Sequence, residues 1–338
     1  GTRIIVFYPK NGVSPIQEKQ MVTQKGANTF VVGIHGNFDD AQTGVKKIFS
    51  DKELAKEMDE KGFQFSSANS INIGRLVPQI CYYVYAYAQL LKDGKITEGE
   101  KINVVVPTGN FGNILAAFYA KNMGLPIDKL ICASNDNKVL YDFFRTGTYD
   151  RNREFVLTTS PSMDILISSN LERLIYQICG RDGEVDADLM GQLQTEGKYT
   201  ITDAMREQLS DFAAGYATEA ETADMIRKTY EKAGYVMDTH TAVAAHVCEQ
   251  YKKDTGDTTK CLVASTASPY KFVKSVLTAI DEKKYGQKEE LELLPDLEQI
   301  SGVEMPGAIR EILDAQVRHS RECDADRMQE TVEEILGL

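Results

Sequence analysis

The sequence lacks the short motifs that mark several common enzyme classes. It contains no GxxxxGKS/T phosphate loop, no GxGxxG dinucleotide fingerprint, no HExxH metal motif and no GxSxG nucleophile elbow. These absences disfavour the usual nucleotide-binding, metalloprotease and hydrolase functions. The six cysteines lie far apart, without a CxxC pair or a histidine-flanked cluster, so they predict reduced, buried thiols in a cytoplasmic protein and no metal site.

Positively charged residues are in the minority, with 38 Lys and Arg against 50 Asp and Glu among 338 residues, which gives a net charge of -12. Because phosphate backbones select for basic surfaces, this balance argues against a nucleic-acid partner. No apolar run approaches the length of a membrane-spanning helix and no signal-peptide pattern is present, so no membrane partner is predicted. The composition, 42% hydrophobic and 26% charged, is typical of a folded globular protein.

Apolar, strand-like runs alternate with helical patterns along most of the chain, which predicts an α/β fold with parallel sheets flanked by helices. Two of the predicted helices cover 71–92 and 163–178, and the polar, acidic stretch at 180–217 is predicted as an insertion or helical cap. We predict no strand after Lys283, where a charged tail ends in a helical pattern around 324–336. The predicted strands lie at 4–8, 29–34, 102–106, 129–133 and 260–264.

The most informative segment runs from a buried strand at Val104 through a Gly/Asn turn into an apolar-faced helix predicted to begin near Gly112. Gly109 and Gly112 allow backbone N–H groups to approach a phosphate closely, and the N-terminus of the helix adds positive potential. The alternative is an ordinary strand-to-helix corner, which uses glycines in the same way. The segment by itself leaves both interpretations open.

Two other polar clusters lie at predicted element ends, where open α/β sheets bind their ligands. Ser70 is predicted to cap the long helix that follows it, with Arg75 about one turn further along, so that both side chains could contact one anion. The alternative is a helix cap beside a surface arginine. In the second cluster a strand runs into Ser265 and Thr266, whose hydroxyls most often satisfy the backbone of their own turn.

His240 and Asp164 are interpreted as structural residues. His240 lies at a predicted helix start, where a neutral imidazole that caps the helix is favoured over a general base. Asp164 lies in an apolar helical pattern, and we interpret it as a buried hydrogen-bond hub in preference to a catalytic group.

Eight segments occur in the order found in one enzyme family, and the similarity that they carry extends over about residues 4 to 280. They are YPK at 8–10, VSPIQEKQM at 13–21, NSIN at 69–72, VPTGNFGNILA at 106–116, KNMGLPI at 121–127, SMDILISSN at 162–170, DTHTAV at 238–243 and STA at 265–267. On these motifs the chain resembles threonine synthase, a fold-type-II enzyme that depends on pyridoxal 5'-phosphate. The resemblance implies a tryptophan synthase β-like architecture for the predicted α/β fold.

The resemblance also implies roles for individual residues. Thr266 matches the hydroxyl that pairs with the ring nitrogen of the cofactor, and Ser70 and Arg75 match positions that grip the substrate's phosphate. The sequence departs from the family at Asn113, where many members have Asp, and at Ser268, where many have His. An amide at 113 removes a negative charge beside a phosphate, so the change need not harm binding. The loop that holds the cofactor phosphate corresponds to Gly109, Asn110, Phe111, Gly112 and Asn113.

The implied reaction converts O-phospho-L-homoserine and water to L-threonine and phosphate. It needs a Schiff-base lysine, which the family carries in an SFKD-like motif upstream of the YPK strand. That motif is absent here, so no catalytic residue is assigned. We therefore expect a chain that is truncated at its N-terminus, covers roughly the C-terminal two thirds of a full-length member and is inactive alone.

The expected domains are 1–70 as part of a small mobile α/β domain, 71–285 as the large cofactor-binding domain and 286–338 as a C-terminal helical extension. The expected oligomeric state is a monomer or a homodimer. One alternative is a non-catalytic, anion-binding α/β module, or a half-enzyme that needs a complementing fragment. Another is a different fold-type-II lyase, such as threonine dehydratase or cysteine synthase, and the segments at 13–21 and 69–72 argue against it.

Overall fold

The structure is a computed structural model that describes residues 1–338, apart from the side chains of residues 38, 39 and 42. The chain divides into two compact units. The first unit comprises residues 1–66, 270–274 and 285–338, and the second comprises residues 67–269 and 275–284.

The secondary structure alternates between strands and helices over most of the chain. The strands are β1 (Ile4–Pro9), β2 (Thr29–His35), β3 (Ile102–Pro107), β4 (Ile127–Ser134), β5 (Thr148–Asp150), β6 (Lys198–Thr200), β7 (Phe212–Tyr216), β8 (Cys261–Val263) and β9 (Arg321–Asp324). The α-helices are α1 (Pro15–Val22), α2 (Phe38–Ser50), α3 (Lys52–Glu60), α4 (Ile73–Leu76), α5 (Ile80–Lys92), α6 (Gly112–Asn122), α7 (Val139–Thr146), α8 (Leu171–Ile178), α9 (Gly183–Thr195), α10 (Asp203–Glu207), α11 (Glu219–Ala233), α12 (Thr239–Thr255), α13 (Val273–Ile280), α14 (Glu282–Tyr285), α15 (Leu294–Ser301), α16 (Gly307–Leu313) and α17 (Met328–Leu336). Short 3-10 helices lie at Val77–Gln79, Pro161–Met163, Pro269–Phe272, Glu290–Leu293 and Ala325–Arg327.

The first unit contains a parallel three-stranded sheet with the strand order β1-β2-β9. β9 joins the sheet with Val32 of β2 opposite Arg321, and an apolar core that includes Ile34 and Met328 packs beside it. The prediction of no strand after Lys283 is therefore wrong. β9 is an edge strand of Arg-Glu-Cys-Asp, and because it has no apolar run its sequence pattern does not reveal it.

The second unit is built on a parallel four-stranded sheet with the strand order β7-β4-β3-β8, and β5 and β6 form a separate antiparallel pair. β3 is buried along its whole length. Successive side chains of a strand point to opposite faces. Val104 and Val106 accordingly join the core that contains α5 and α6 residues, whereas Val105 packs with Val243 and Val247 of α12. Helices thus cover both faces, and the predicted parallel α/β architecture is confirmed.

The helix predicted over 71–92 is interrupted. It consists of α4, a 3-10 turn at Val77–Gln79 and α5, and Pro78 lies in the break because its ring removes an N–H donor and fixes φ. The prediction that Ser70 caps this helix is wrong. The N-cap of α4 is Asn72, whose side-chain oxygen accepts the Gly74 N–H at 2.9 Å.

Two further predicted segments differ from the observed elements. The helix predicted over 163–178 begins only at Leu171, and the residues before it form a loop. The stretch at 180–217 contains α9, β6, α10 and β7, and β7 is an edge strand of the four-stranded sheet. The sequence of β7, Phe-Ala-Ala-Gly-Tyr, is dominated by small residues of low strand propensity, so the pattern does not indicate a strand.

The boundaries of the compact units differ from those of the predicted domains, because residues 286–338 belong to the same unit as residues 1–66. The functional roles assigned to the domains, including the mobility of the first, stay predictions. Within the described part of the chain, no helix combines the length and the apolar character that crossing a bilayer requires.

Candidate functional site

Two polar loops lie at the carboxyl edge of the four-stranded sheet in the second unit. The β3 loop, residues 108–113, follows β3, and the β8 loop, residues 265–268, follows β8. These strands are neighbours, with Val105 opposite Val263, and the Ala264 N–H donates to the Val105 carbonyl at 2.9 Å. Because parallel neighbours end at one edge of the sheet, two clusters that are far apart in sequence come to the same edge.

Three carbonyl oxygens of the β3 loop, those of residues 109–111, accept hydrogen bonds from other groups of the protein. The Gly109 carbonyl accepts the Ser168 hydroxyl at 2.7 Å, and the Asn110 carbonyl accepts the side-chain amide of Asn170 at 2.9 Å. The Phe111 carbonyl accepts the first backbone bond of α6 at 3.0 Å. These bonds fix the orientation of the peptide planes. In each plane the N–H group points away from the hydrogen-bonded carbonyl oxygen.

The N–H groups of residues 109–113, in contrast to these carbonyl oxygens, have no hydrogen-bond partner among the described residues of the protein. Within the same residues, α6 has no side-chain cap. Gly109, Phe111 and Gly112 are nevertheless buried. Buried backbone donors are almost always paired in folded proteins. A run of unpaired donors at the start of a helix therefore fits an anion with several acceptor oxygens.

Phe111 shapes the β3 loop through its backbone conformation, and its ring is buried in the core. Its φ of +64° lies in the left-handed region, which a bulky residue adopts only at a cost of about 1–3 kcal/mol. The ring is 1% exposed and lies 6.1 Å from each of the Phe144 and Phe212 rings. These core contacts hold the turn, and a left-handed residue followed by helical ones creates a concave cluster of N–H groups.

The two glycines of the β3 loop are required by close packing. A Cβ atom on Gly109 would lie 2.3 Å from the Ser162 carbonyl oxygen, and one on Gly112 would lie 2.4 Å from the Ser70 hydroxyl oxygen. Neither glycine has a positive φ, so available space and not backbone conformation decides the residue type. The second contact brings Ser70 directly beside the start of α6.

Ser70 and Arg75 differ in how the structure holds them. The Ser70 oxygen accepts the Asn170 side-chain amide at 3.2 Å, so Asn170 connects Ser70 to the β3 loop. Arg75 is exposed on α4, and among the described side chains its guanidinium has no partner. The structure thus joins the Ser70 cluster to the glycine loop and leaves the charge of Arg75 accessible to a ligand.

Asn113, at the second position of α6, is oriented by Tyr83 of α5. The Tyr83 hydroxyl donates a short hydrogen bond to the side-chain oxygen of Asn113. Burial raises the pKa of Tyr83, so the phenol stays protonated and remains a donor. With its oxygen engaged, the Asn113 amide keeps its two N–H donors for another acceptor.

Thr266 lies in the exposed part of the β8 loop, and its hydroxyl has no protein partner among the described residues. The preceding residue, Ser265, is anchored, because its hydroxyl oxygen lies 3.0 Å from that of Thr241 in α12. The loop therefore presents one fixed and one uncommitted hydroxyl at adjacent positions.

The prediction that His240 caps its helix is wrong, because Asp238 caps α12. Asp238 accepts the N–H groups of His240 at 2.9 Å and Thr241 at 3.3 Å. His240 is 3% exposed, with Nδ1 3.2 Å from the Asp238 carboxylate and Nε2 accepting the Ser162 N–H at 3.3 Å. Since a backbone N–H can only donate, Nε2 carries no proton in this arrangement and the imidazole is neutral, as the sequence analysis expects.

The interpretation of Asp164 as a hydrogen-bond hub is confirmed, although it lies in a loop and not in a helix. Its carboxylate accepts the side-chain amides of Asn135 at 2.7 Å and Asn137 at 3.1 Å, and the Thr158 hydroxyl at 2.7 Å. Burial raises the pKa of this carboxyl, and these donors partly offset that effect. The hub stabilises the segment that packs against Gly109.

Sequence reasoning did not assign Ser168, Asn170 or Tyr83 to the site. Ser168 and Asn170 lie in the SMDILISSN segment, whose dense hydroxyl and amide groups before a helix were the available signal. Tyr83 reaches Asn113 across 30 positions of sequence, and periodicity gives no indication of such a contact. Among the described residues, no group of three or more His, Cys, Asp or Glu side chains could hold a metal ion.

The chain is similar in sequence to known proteins of one family. A family model described as "Threonine synthase, C-terminal" matches residues 241–316. The chain is 43% identical over 287 residues to threonine synthase-like 1 of Macaca fascicularis, covering 84% of this chain and 38% of that protein. It is 38% identical over 292 residues to threonine synthase of Saccharomyces cerevisiae, covering 82% of this chain and 55% of that protein.

A solved structure supports the same assignment. The pyridoxal-phosphate-bound threonine synthase of Brucella melitensis superposes with a TM-score of 0.79 at 34% identity, covering 99% of this chain and 64% of that chain. The architecture is that of the fold-type-II pyridoxal-phosphate enzymes, with parallel sheets flanked by helices. The chain belongs to the threonine synthase family, as its motifs predict, and it spans 38% to 64% of the length of these relatives.

Proposed function

We propose that this chain supplies the cofactor-phosphate and substrate-phosphate sites of a threonine synthase, which converts O-phospho-L-homoserine and water to L-threonine and phosphate. The observation that supports the proposal is the run of N–H groups at 109–113 without an acceptor among the described residues, three of them in the buried residues Gly109, Phe111 and Gly112. The same cofactor is proposed because the Brucella melitensis relative is a pyridoxal-phosphate-bound threonine synthase.

In this proposal the β3 loop holds the phosphate of pyridoxal 5'-phosphate through the N–H groups of Gly109, Asn110, Phe111, Gly112 and Asn113. The positive end of α6 adds to the attraction, and no side-chain cation is needed. Thr266 is proposed to pair its uncommitted hydroxyl with the ring nitrogen. The bound cofactor supplies an electron sink for the carbon chemistry, which the protein itself lacks.

Ser70 and Arg75 are proposed to bind the phosphate of the substrate. A hydroxyl donates one directional bond, and an exposed guanidinium offers a bidentate, always charged partner to phosphate oxygens. The net charge of -12 makes a local cation useful, because the overall field repels an anionic substrate. We expect Arg75 to act mainly on substrate affinity and Ser70 on substrate orientation.

We further propose that the chain alone does not turn over substrate, because no lysine here has the context of the family's Schiff-base lysine. A cytoplasmic location is proposed as well, in keeping with six free cysteines. The oligomeric state, a monomer or a homodimer, stays a prediction.

The test is a parallel assay of phosphate release from O-phospho-L-homoserine, with and without a lysine-bearing segment of the Saccharomyces cerevisiae relative. We expect no release by the chain alone and measurable release after the segment is added. O-acetylserine and threonine are the control substrates, since turnover of either would favour another fold-type-II lyase. Turnover by the chain alone would contradict the proposed dependence on an added lysine.

A second candidate function, a half-enzyme that needs a complementing partner, is favoured by an exposed apolar surface on α4 and α5. Ile73, Tyr82 and Tyr85 are 48%, 62% and 67% exposed. Large apolar side chains exposed on neighbouring helical segments are typical of interaction sites. Copurification of a lysine-bearing polypeptide with the chain would support this candidate, and a chain that stays alone and binds phosphate without turnover would support a non-catalytic module.

A further inference from the structure

The carboxylate of Asp238 lies between two arms of hydrogen bonds that lead to the two loops of the site. The side chain is fully buried, and Asp238 and His240 are 1% and 3% exposed as residues. The cap on α12 uses only part of the carboxylate's capacity, because ionised Asp offers about four acceptor positions. The remaining capacity is used by the side chains of His240 and Thr241 in the first turn of α12.

The first arm leads to the β3 loop. Asp238 Oδ1 lies 3.2 Å from His240 Nδ1, and His240 Nε2 accepts the Ser162 N–H at 3.3 Å. The Ser162 carbonyl is the atom that a Cβ on Gly109 would meet at 2.3 Å. A displacement of Ser162 therefore changes the space available to Gly109.

The second arm leads to the β8 loop. The Thr241 hydroxyl contacts Asp238 Oδ2 in a short hydrogen bond and lies 3.0 Å from the Ser265 hydroxyl. Thr241 is the donor in both contacts, so its hydroxyl links the Asp238 carboxylate to the Ser265 hydroxyl. The contact with Thr241 holds the Ser265 side chain, and Thr266 is the next residue.

We propose that Asp238 is a positioning residue that holds the cofactor-phosphate loop through His240 and Ser162 and the ring-nitrogen hydroxyl through Thr241 and Ser265. One buried carboxylate thereby sets the distance between the two ends of the cofactor site. The inference rests on the proposed function for the identity of the ligand. The geometry of the two arms belongs to the chain itself and is tested without any ligand.

The first experiment measures backbone 15N order parameters in the ligand-free chain. Thr241→Val keeps the side-chain shape and removes the link to Ser265, so the order parameters at 265–267 should fall from about 0.85 to below about 0.6 while those at 161–163 stay unchanged. His240→Leu should do the reverse. Thr241→Ser should restore the wild-type values at 265–267.

Thr222→Val is the matched control, because Thr222 is also a buried helical threonine, 1% exposed, whose hydroxyl bonds to the Thr218 carbonyl. It lies outside both arms and should change the order parameters of neither loop. If Thr241→Val has no larger effect at 265–267 than Thr222→Val, the positioning role is wrong.

The second experiment measures binding of two probes by calorimetry. 4-Deoxypyridoxine 5'-phosphate carries the ring and the phosphate but no aldehyde, and inorganic phosphate reports the phosphate end alone. Thr241→Val should weaken binding of the first probe about tenfold, equal to about 1.4 kcal/mol, and leave the second unchanged. His240→Leu should weaken binding of both. An unchanged ratio of the two dissociation constants in Thr241→Val would overturn the assignment.

The two experiments separate the inference from the proposed function. If the wild-type chain binds neither probe, the proposed cofactor site is wrong, and the order parameters still decide whether Asp238 holds both loops. If the wild type binds both probes and all variants match it, the cofactor site stands and the positioning role of Asp238 is rejected.

Discussion

The N-termini of α6 and α12 lie near the ends of neighbouring strands and are treated in opposite ways. α12 begins with Asp238, whose buried carboxylate accepts two backbone N–H groups and the Thr241 hydroxyl. α6 begins with Phe111 in a left-handed conformation and has no side-chain cap. One helix start is capped by a side chain of the protein, and at the other the N–H donors have no acceptor among the described residues.

The comparison shows that α6 is not open for lack of suitable neighbours. Ser168 and Asn170 lie beside the β3 loop, but they donate to its carbonyl groups and do not accept from its N–H groups. The protein thus stabilises the orientation of the loop and leaves its donors unpaired. This arrangement supports a phosphate site, because an anion with several acceptor oxygens can pair several of these donors at once.

In the ligand-free chain, mutation of the capped start of α12 should lower the free energy of unfolding more than mutation of the uncapped start of α6. Asp238→Ala removes the cap and leaves buried donors unpaired, so we expect the free energy of unfolding to fall by about 2–4 kcal/mol. The control is Thr218→Ala, which removes the partly exposed cap of α11 at an expected cost of about 1 kcal/mol. Urea unfolding measures both. Equal losses would show that the buried network adds nothing to the cap.

The loop before α6 should lose stability when a side-chain atom is added at Gly109. Gly109→Ala forces a Cβ against the Ser162 carbonyl, and we expect a loss of about 1–3 kcal/mol together with loss of phosphate binding. Gly191→Ala is the matched control, because Gly191 lies in α9 with nothing within 4 Å of its added Cβ. That change should stabilise the chain by about 0.5–1 kcal/mol. A Gly109→Ala variant as stable as the control would remove the close-packing argument.

Removing the support of Asn113 should have a smaller effect. Tyr83→Phe deletes the hydroxyl that donates to Asn113, with an expected cost of about 0.5–1.5 kcal/mol. The freed amide can rotate, so we also expect weaker binding of 4-deoxypyridoxine 5'-phosphate. Tyr87→Phe is the control, because it removes a hydroxyl bond from the same helix to the Glu100 carbonyl, away from the loop. Weaker probe binding in both variants would point to a general effect of α5.

The smallest effect on stability is expected at Arg75, which is exposed and has no partner for its guanidinium among the described side chains. Arg75→Ala should change the free energy of unfolding by less than about 0.5 kcal/mol. It should nevertheless weaken binding of O-phospho-L-homoserine measured by calorimetry, and Lys92→Ala, an exposed cation at the end of α5, should not. Equal affinities in the two variants would exclude Arg75 from the substrate site.

The central sheet was predictable from sequence because β3 and β4 each contain an uninterrupted apolar run, at 104–106 and 130–133. β7 and β9 were not, since one is built from small residues and the other is polar. The break at Pro78 follows from a residue that was visible in the sequence but outweighed by the apolar helical pattern around it. Hydrophobic patterning thus located the strands that carry an apolar run, including the edge strands β1 and β8, and missed β7 and β9.

The β3 loop was predictable as an anion site because glycines, a strand and a helix start occur together within ten residues. The support around it was not, because Asn170 meets Ser70 across 100 positions and Thr241 meets Ser265 across 24. The role of Asp238 depends on which donor faces which oxygen, and only the three-dimensional arrangement determines that. Sequence therefore indicated the ligand-facing atoms better than the residues that orient them.

The most direct test of the difference between the two helix starts is a 15N NMR titration of the chain with 4-deoxypyridoxine 5'-phosphate. We predict large downfield shifts of the amide protons of 109–113, little change at 239–241, and no response at 109–113 to 4-deoxypyridoxine without the phosphate. Unshifted amides at 109–113, or equal shifts at the start of α12, would contradict the assignment of the β3 loop as the phosphate site.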